Sequence, residues 1–309
     1  MCEPVVVSDD TVRIGQLSDT HFLEPGHDPE GGFAYDTGAA YEAVLEDLAA
    51  DELDLVAITG DIADHGRPAQ YRRAGDAFAR IPHPVNVLAG NHDQDAAFTA
   101  GIGRPTVASS PAIEIGEWCF LFADSNAGVM NVDRHGRLVD PDDYGDRLHR
   151  NGCLGRAEAA RLRALHDQTE AEHVFVWVHH PPAAPVGLTA DPSYDSEWVE
   201  LVGHLPKLRG LGAGHTHVPT AYVFRDLPVF IGPALKNNFD LEAETLLPPG
   251  WRRYEFKPDG TITSELRLAD DPRWPRHPLG RAVMALLSGE LTHAEFDAIV
   301  NRKRAEFAD

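Results

Sequence analysis

Short apolar runs recur along the chain, and each run ends where glycine and polar residues begin. Continuous apolar runs of this length are typical of strands that are buried on both faces. Loops at the carboxyl ends of such strands are where α/β proteins collect their ligands. The pattern predicts five strands, at residues 11–17, 53–59, 84–88, 173–178 and 208–213.

Two segments with helical periodicity lie between the first three of these strands. One helix is indicated by an apolar stripe at i, i+3, i+4 and i+7, formed by Tyr41, Val44, Leu45 and Leu48. A second helix is predicted to begin at Pro68, because proline suits the first helical position, and its apolar face consists of Tyr71, Ala74 and Phe78. Alternation of strand and helix favours the α/β class.

Later segments have hairpin character without helices between them, at residues 112–115, 118–123, 221–224, 229–231, 252–256 and 261–268. We therefore expect an α/β fold, which some schemes would call α+β, with two packed sheets flanked by helices. Trp118, Trp177 and Trp198 are expected in the core or at its rim. For Trp198, a position in a loop after Pro192 that lines the substrate pocket also stays open.

The domain organisation is predicted as one large domain over residues 1–268 and an appendage over residues 269–309. Residues 124–154 are polar and lack apolar periodicity, so they form either a lid or a mobile insertion. In the appendage, a proline-rich linker precedes a helix whose capping box is Thr292-x-x-Glu295. This tail is expected to dock either on the core or on a partner subunit. A homodimer would form through the tail or through the insertion at residues 124–154.

The charge balance excludes some classes of partner. The chain has 27 Lys+Arg against 49 Asp+Glu, a formal net charge of −22. A protein that binds nucleic acid or an anionic membrane surface needs a broad basic face, so neither partner is expected. No run approaches the about 18 apolar residues of a membrane helix, and the first residues lack a signal-peptide pattern, so we expect a cytoplasmic protein.

Metal-binding residue types follow all five strands. They supply two carboxylates, one amide oxygen and four imidazoles: Asp19, His21, Asp61, Asn91, His179, His215 and His217. A mixed nitrogen and oxygen set suits divalent ions such as Mn, Fe, Zn or Co, whereas Ca prefers oxygen ligands.

The spacing of these residues suggests how they are arranged. Asp19 and His21 are two positions apart, as are His215 and His217, so each pair projects to one side of an extended segment. Asp61 has two carboxylate oxygens and is able to bridge two ions about 3.5–4 Å apart, the separation used in two-metal hydrolysis.

The ordered blocks Asp19-x-His21, Gly60-Asp61, Gly90-Asn91-His92-Asp93, His179 and Gly214-His215-x-His217 resemble the signature of the calcineurin-like metallophosphoesterase superfamily. Residues 60–66, 70–73 and 179–182 are similar to those of bacterial class III cyclic-nucleotide phosphodiesterases. The resemblance implies a four-layer α/β/β/α sandwich of two mixed sheets, with residues 1–268 as its catalytic domain and a C-terminal helical tail.

The resemblance also implies roles for individual residues. Asp19, His21, Asp61 and His217 would hold a first metal ion, and Asp61, Asn91, His179 and His215 a second. His92 would contact the substrate, with Asp93 accepting its other ring N–H. An Fe/Mn pair is expected, with Zn or Co as substitutes. The implied reaction is attack of a metal-bound hydroxide on a small phosphodiester, with 3′,5′-cyclic nucleotides first among the substrates.

Other substrate contacts and other functions stay open at this point. Further candidates for substrate binding are Asp64, His65, Arg67 and His180. One alternative function is hydrolysis of glycerophosphodiesters or other small phosphoesters, including monoesters. An alternative of another class is a metal-free binding scaffold.

Overall fold

The computed structural model describes residues 10–24, 36–93, 95–127, 152–185, 192–240, 242–243 and 245–269. Beyond these it describes residues 274, 282, 285, 290–292, 294–296, 298–299 and 302. Most of the segment 124–154 that we singled out lies outside the described residues, as does most of the tail.

Five helices and fourteen strands make up the elements of the described part of the chain. The helices are α1 (Thr37–Ala50), α2 (Pro68–Phe78), α3 (Asp95–Gly101), α4 (Gly155–Gln168) and α5 (Pro192–Val202). The strands are β1 (Val12–Leu17), β2 (Leu55–Thr59), β3 (Val85–Leu88), β4 (Val107–Ala108), β5 (Ala112–Ile115), β6 (Trp118–Phe122), β7 (His173–Trp177), β8 (Leu208–Ala213), β9 (Ala221–Phe224), β10 (Leu227–Ile231), β11 (Phe239–Asp240), β12 (Thr245–Leu246), β13 (Gly250–Phe256) and β14 (Ile262–Leu268).

Two six-stranded mixed sheets carry the fold. The first has the order β14-β13-β1-β2-β3-β4, and the second has the order β5-β6-β7-β8-β10-β9. In the first sheet β1, β2, β3 and β4 run parallel, and in the second β6, β7, β8 and β10 do. The carboxyl ends of the parallel strands therefore share one edge in each sheet.

Three hydrophobic clusters fill the spaces between the layers. The cluster between the sheets is largely aromatic, with side chains from both sheets: Trp118, Phe120, Phe175, Trp177, Tyr254 and Phe256. Tyr41 and Phe78 join the cluster between the first sheet and α1 and α2, whereas Leu162 and Trp198 join the one between the second sheet and α4 and α5. The predicted four-layer α/β/β/α order is thus confirmed.

The predicted strands agree with the structure to within two residues at each end, and the helices around Tyr41 and after Pro68 are present. The sequence analysis did not predict α3, α4 or α5. Trp198 is fully buried on α5, so a position in a pocket-lining loop is wrong for this residue.

The last strand, β14, ends at Leu268, and a few residues beyond it are described. Trp274 is buried in the cluster that covers the first sheet. Glu295 accepts from the Thr292 backbone N–H at 2.8 Å, and the Thr292 hydroxyl lies 3.3 Å from the Glu295 nitrogen, which is the predicted capping box. Within the described residues, no helix has the length and apolar character needed to cross a membrane.

Candidate metal centre

The predicted ligand residues lie in the loops that follow β1, β2, β3, β7 and β8. These loops meet where the carboxyl ends of the parallel strands of both sheets lie. Asp19, His21, Asp61, Asn91 and His179 are almost fully buried. His215 and His217 are partly exposed and close the group on the solvent side. Side chains from both sheets therefore meet in one polar cluster, although they are far apart in sequence.

The backbone at this cluster is strained. Five of the predicted ligand residues have a positive φ, between 42° and 70°: Asp19, His21, Asp61, His215 and His217. Residues other than glycine rarely adopt this conformation, which costs on the order of 1–3 kcal/mol each and persists only when surrounding structure enforces it. These five residues lie in the loops whose side chains meet in the cluster.

Glycines allow the loops to approach closely. A Cβ atom added at Gly90 would lie 2.2 Å from Asp61 Oδ1, and one at Gly214 would lie 2.0 Å from Ser18 Oγ and 2.7 Å from Asp19 Oδ2. No side chain fits at such distances. Gly90 is therefore required by the position of the Asp61 carboxylate, and Gly214 by the positions of the Ser18 hydroxyl and the Asp19 carboxylate.

Asp61 lies in the middle of the cluster. Its Oδ2 atom is 3.3 Å from His179 Nε2 and 3.6 Å from His21 Nε2, which belong to different sheets. Its Oδ1 atom accepts from the backbone N–H of His92 at 2.9 Å, which fixes the orientation of the carboxylate.

The first group of donors consists of Asp19, His21, Asp61 and His217, whose candidate ligand atoms lie within 4.8 Å of one another. Asp19 Oδ1 is 3.2 Å from His217 Nε2. The His215 backbone N–H is 3.1 Å from both Asp19 oxygens, and the Ser18 hydroxyl donates to Oδ2 at 2.5 Å. His21 Nε2 is buried and has no hydrogen-bond partner among the described residues.

The second group is formed by Asp61, Asn91, His179 and His215. Asn91 Oδ1 is 3.0 Å from His179 Nε2 and 3.0 Å from His215 Nδ1. His179 Nδ1 donates to the Thr59 carbonyl at 2.8 Å, so its Nε2 atom points at two acceptor oxygens, those of Asn91 and Asp61. Either a second proton or a cation must satisfy that arrangement.

Both groups fit a divalent cation. Ligands bound at about 2.0–2.2 Å from an ion are separated from one another by about 3.0–3.4 Å, because that is the edge of the coordination polyhedron. The separations of 3.0, 3.2, 3.3 and 3.6 Å between neighbouring donors are of this size. The orphaned His21 nitrogen next to the Asp61 carboxylate supports the same conclusion.

The charge states of the imidazoles differ within a few ångströms. Burial lowers the pKa of His215 to about 3, with the His179 charge acting in the same direction, and burial lowers the pKa of His21 to about 4. Burial also acts to lower the pKa of His179, but the Asp61 carboxylate outweighs it and raises the value to about 9. Neutral imidazoles with a free nitrogen are the form that binds metal ions.

His92 lies beside this cluster, but Asp93 does not have the contact expected of it. The His92 Nδ1 atom donates to the main-chain carbonyl of Asp64 at 2.8 Å. Asp93 instead accepts backbone N–H groups from Gly90, Ile62 and Ala63 at 2.9 to 3.1 Å. The expectation that Asp93 holds the His92 ring is therefore wrong, because the contacts of Asp93 join two loops instead. Burial and the charge of Asp61 raise the pKa of Asp93 to about 6.

The four other candidates for substrate binding differ in their exposure and in their contacts. Asp64 is buried, and its Oδ1 atom is 2.9 Å from His21 Nδ1. The His65 side chain is 14% exposed, and its Nδ1 atom lies 3.6 Å from Asp64 Oδ2, whereas the Arg67 side chain is 58% exposed and pairs with Glu24. His180 is buried, with its Nδ1 atom 2.7 Å from the Ser125 hydroxyl.

Two residues of the site were missed. Ser18 holds Asp19, and Lys236 pairs with Asp64 at 2.5 Å. Ser18 has no distinguishing signal in the sequence. Lys236 is one of four lysines in a chain that otherwise uses arginine, and this scarcity was the one available signal.

The family model for calcineurin-like phosphoesterases matches residues 12–219, which include all five ligand loops. The chain therefore belongs to the calcineurin-like phosphoesterase family, and it is a phosphoric ester hydrolase. Members of this family use divalent metal ions, in agreement with the donor groups described above.

Curated relatives cover most of the chain. A probable cyclic nucleotide phosphodiesterase of Synechococcus is 31% identical over 263 residues, 84% of this chain and 93% of that protein. The 3′,5′-cyclic adenosine monophosphate phosphodiesterase of Escherichia coli K12 is 29% identical over 272 residues, 84% and 90% of the two chains. A glycerophosphodiester phosphodiesterase of Enterobacter lignolyticus is 26% identical over 231 residues, 72% and 76%.

Among solved structures, a dimetal phosphatase from Danio rerio superposes with a TM-score of 0.55 at 12% identity, covering 84% of this chain and 97% of that one. At this identity the similarity concerns the fold alone. It agrees with the two mixed sheets and their flanking helices.

Proposed function

We propose that the chain is a binuclear metal-dependent phosphodiesterase that hydrolyses small phosphodiesters, with 3′,5′-cyclic nucleotides as the first candidates. The observation that carries this proposal is the position of Asp61. Its Oδ2 atom lies between His21 and His179, so one carboxylate borders both donor groups.

Asp19, His21 and His217 would hold one cation, and Asn91, His179 and His215 the other, with Asp61 common to both. Divalent ions bound in this way supply positive charge to the phosphate oxygens and lower the pKa of a bound water. An Fe/Mn pair fits the mixed donors, and Zn or Co are the substitutes we expect to support activity.

His92 is the residue that we assign to the substrate itself. Its side chain is 16% exposed, and its Nε2 atom is 4.0 Å from Asp61 Oδ2, at the open side of the cluster. Because Nδ1 donates to the Asp64 carbonyl, the orientation of the ring is fixed, and Nε2 is the nitrogen that would contact the phosphate or pass a proton to the leaving oxygen.

The type of substrate is argued from charge and from the relatives. A small anion inside the cluster is exposed mainly to the local positive charge, whereas a long polyanion also meets a chain of net charge −22, which disfavours a nuclease. The relatives of Synechococcus and Escherichia coli support cyclic nucleotides as substrates. The Enterobacter relative favours glycerophosphodiesters as the second candidate class.

A metal-free scaffold is the alternative that the donor set disfavours. Every ligand position carries a residue able to bind a metal, and five of them adopt a strained backbone. A scaffold without ions would derive no benefit from that strain.

The test uses hydrolysis of bis(p-nitrophenyl) phosphate in the presence of Mn²⁺, followed by cyclic AMP, glycerophosphodiesters and p-nitrophenyl phosphate. We expect activity that requires the metal, exceeds that on the monoester, and is lost in Asn91→Ala. His204→Ala, which changes an exposed histidine outside the site, is the matched control and should retain activity. Full activity of Asn91→Ala, or of protein treated with chelator, would contradict the proposal.

A further inference from the structure

A lysine lies at the edge of the donor cluster where nothing in the sequence pattern required a basic residue. Lys236 follows β10 in a loop, and its side chain is only 13% exposed. Its backbone N–H donates to the Asp19 carbonyl at 3.3 Å, which ties this loop to the first donor group. The backbone of Lys236 is therefore attached to the loop that carries Asp19.

The Lys236 ammonium and a predicted ligand share one oxygen atom. Asp64 Oδ1 accepts from Lys236 Nζ at 2.5 Å and lies 2.9 Å from His21 Nδ1. Asp64 is buried, so water screens neither contact strongly. The positive charge of Lys236 is thus two hydrogen bonds away from His21 Nδ1, and the other nitrogen of that ring, Nε2, faces Asp61.

Such a shared oxygen has a definite electrostatic effect. A carboxylate that accepts from a metal-binding histidine fixes its tautomer and makes the imidazole a stronger ligand. A lysine on the same carboxylate oxygen draws electron density away from the imidazole and opposes that effect. The lysine also neutralises the Asp64 carboxylate, so the net charge of the cluster is one unit more positive than it would be without Lys236.

We propose that Lys236 is a positioning and charge-setting residue, which acts through Asp64 on His21. It weakens the binding of the first cation and, in exchange, strengthens the attraction of the site for an anionic phosphoester. The inference rests on the proposed function, because it takes His21 as a ligand. It predicts that removing the Lys236 charge raises cation affinity and lowers kcat/KM, which a purely structural role would not produce.

The experiment compares wild type with Lys236→Met, Lys236→Arg and Asp64→Asn, with Mn²⁺ affinity measured by calorimetry on metal-free protein. Lys236→Met should bind the first ion about tenfold more tightly, and Asp64→Asn about tenfold more weakly, the size of effect usual for groups behind a metal ligand. Lys236→Arg keeps the charge and should match wild type.

A matched control removes the same charge elsewhere. Lys207 precedes β8, at the opposite end of that strand from His215, and its Nζ atom donates to the Thr169 carbonyl. Lys207→Met should leave Mn²⁺ affinity and kcat/KM unchanged. In Lys236→Met, kcat/KM for bis(p-nitrophenyl) phosphate should fall about tenfold, mainly through a higher KM.

Each outcome has a distinct reading. If wild-type protein binds no Mn²⁺, the proposed function itself is wrong. If wild type binds two ions and Lys236→Met binds them no more tightly, only the inference on Lys236 is overturned. Lys236→Gln, which keeps a donor for Asp64 without the charge, repeats the test if Lys236→Met does not fold. Loss of folding in both variants would overturn the inference, because the pair would then serve the fold.

Discussion

At the scale of single residues, backbone conformation decides whether the donor atoms can converge. The sequence blocks identified the seven donor residues, but nothing in them indicated that five would have a positive φ. That conformation is imposed by contacts between loops, such as the Asp19 nitrogen donating to the Gly60 carbonyl at 3.1 Å. Residue types were therefore predictable from the sequence, whereas their orientations required the tertiary structure.

Gly214→Ala should abolish tight cation binding. The added methyl group would overlap Ser18 Oγ and Asp19 Oδ2, so the loop after β8 must move away from the first donor group. Gly103→Ala is the control, since a Cβ there meets nothing within 4 Å. Mn²⁺ binding by calorimetry checks both variants. Unchanged binding in Gly214→Ala would mean that the loops are not packed as described.

His92→Ala should lower kcat by about 10²–10⁴-fold, the usual contribution of a general acid or base. Cation content should be unchanged, because His92 is outside both donor groups as we assign them. Steady-state kinetics and metal analysis test this directly. A variant that loses its ions together with its activity would show that His92 is a ligand.

At the scale of elements, the apolar strands were predictable and the helices of the second half were not. The strands β2, β6 and β7 are buried on both faces and appear in the sequence as continuous apolar runs. On α4, by contrast, the buried residues include Glu158 and His166 beside Leu162, so its inward face is partly polar. The spacing of apolar residues predicts a helix poorly where part of its buried face is polar.

Asp93 joins two of these elements, and its substitution should affect stability more than chemistry. Its carboxylate accepts N–H groups from the loops after β2 and β3. In Asp93→Asn the amide NH₂ must face at least one of those donors, so we expect a loss of about 1–3 kcal/mol in the free energy of unfolding.

Chemical denaturation measures that loss, and Asp226→Asn, at an exposed turn, is the matched control. An Asp93→Asn protein as stable as wild type, but as slow as His92→Ala, would restore Asp93 to a catalytic role.

At the scale of the whole molecule, two sheets meet at a cluster of donors in an acidic chain. The net charge disfavoured some classes of partner, but it carried no information about which loops contact one another. Because the two donor groups draw on loops from both sheets, bound cations would connect the halves of the sandwich.

Cations should therefore stabilise the native state. A ligand at 100 times its dissociation constant adds about 2.7 kcal/mol to the free energy of unfolding. Thermal unfolding with Mn²⁺ and with chelator should show a higher Tm with Mn²⁺ in wild type. Asp61→Asn should lose most of that shift. Identical melting of wild type under both conditions would argue against any cation site.

The central claim is that one carboxylate, that of Asp61, joins two cation sites. Anomalous diffraction from crystals of the Mn²⁺-loaded protein tests it most directly. The account predicts two peaks about 3.5–4 Å apart, one beside Asp19, His21 and His217 and the other beside Asn91, His179 and His215, with Asp61 touching both. A single peak, or two peaks that Asp61 does not join, would contradict it.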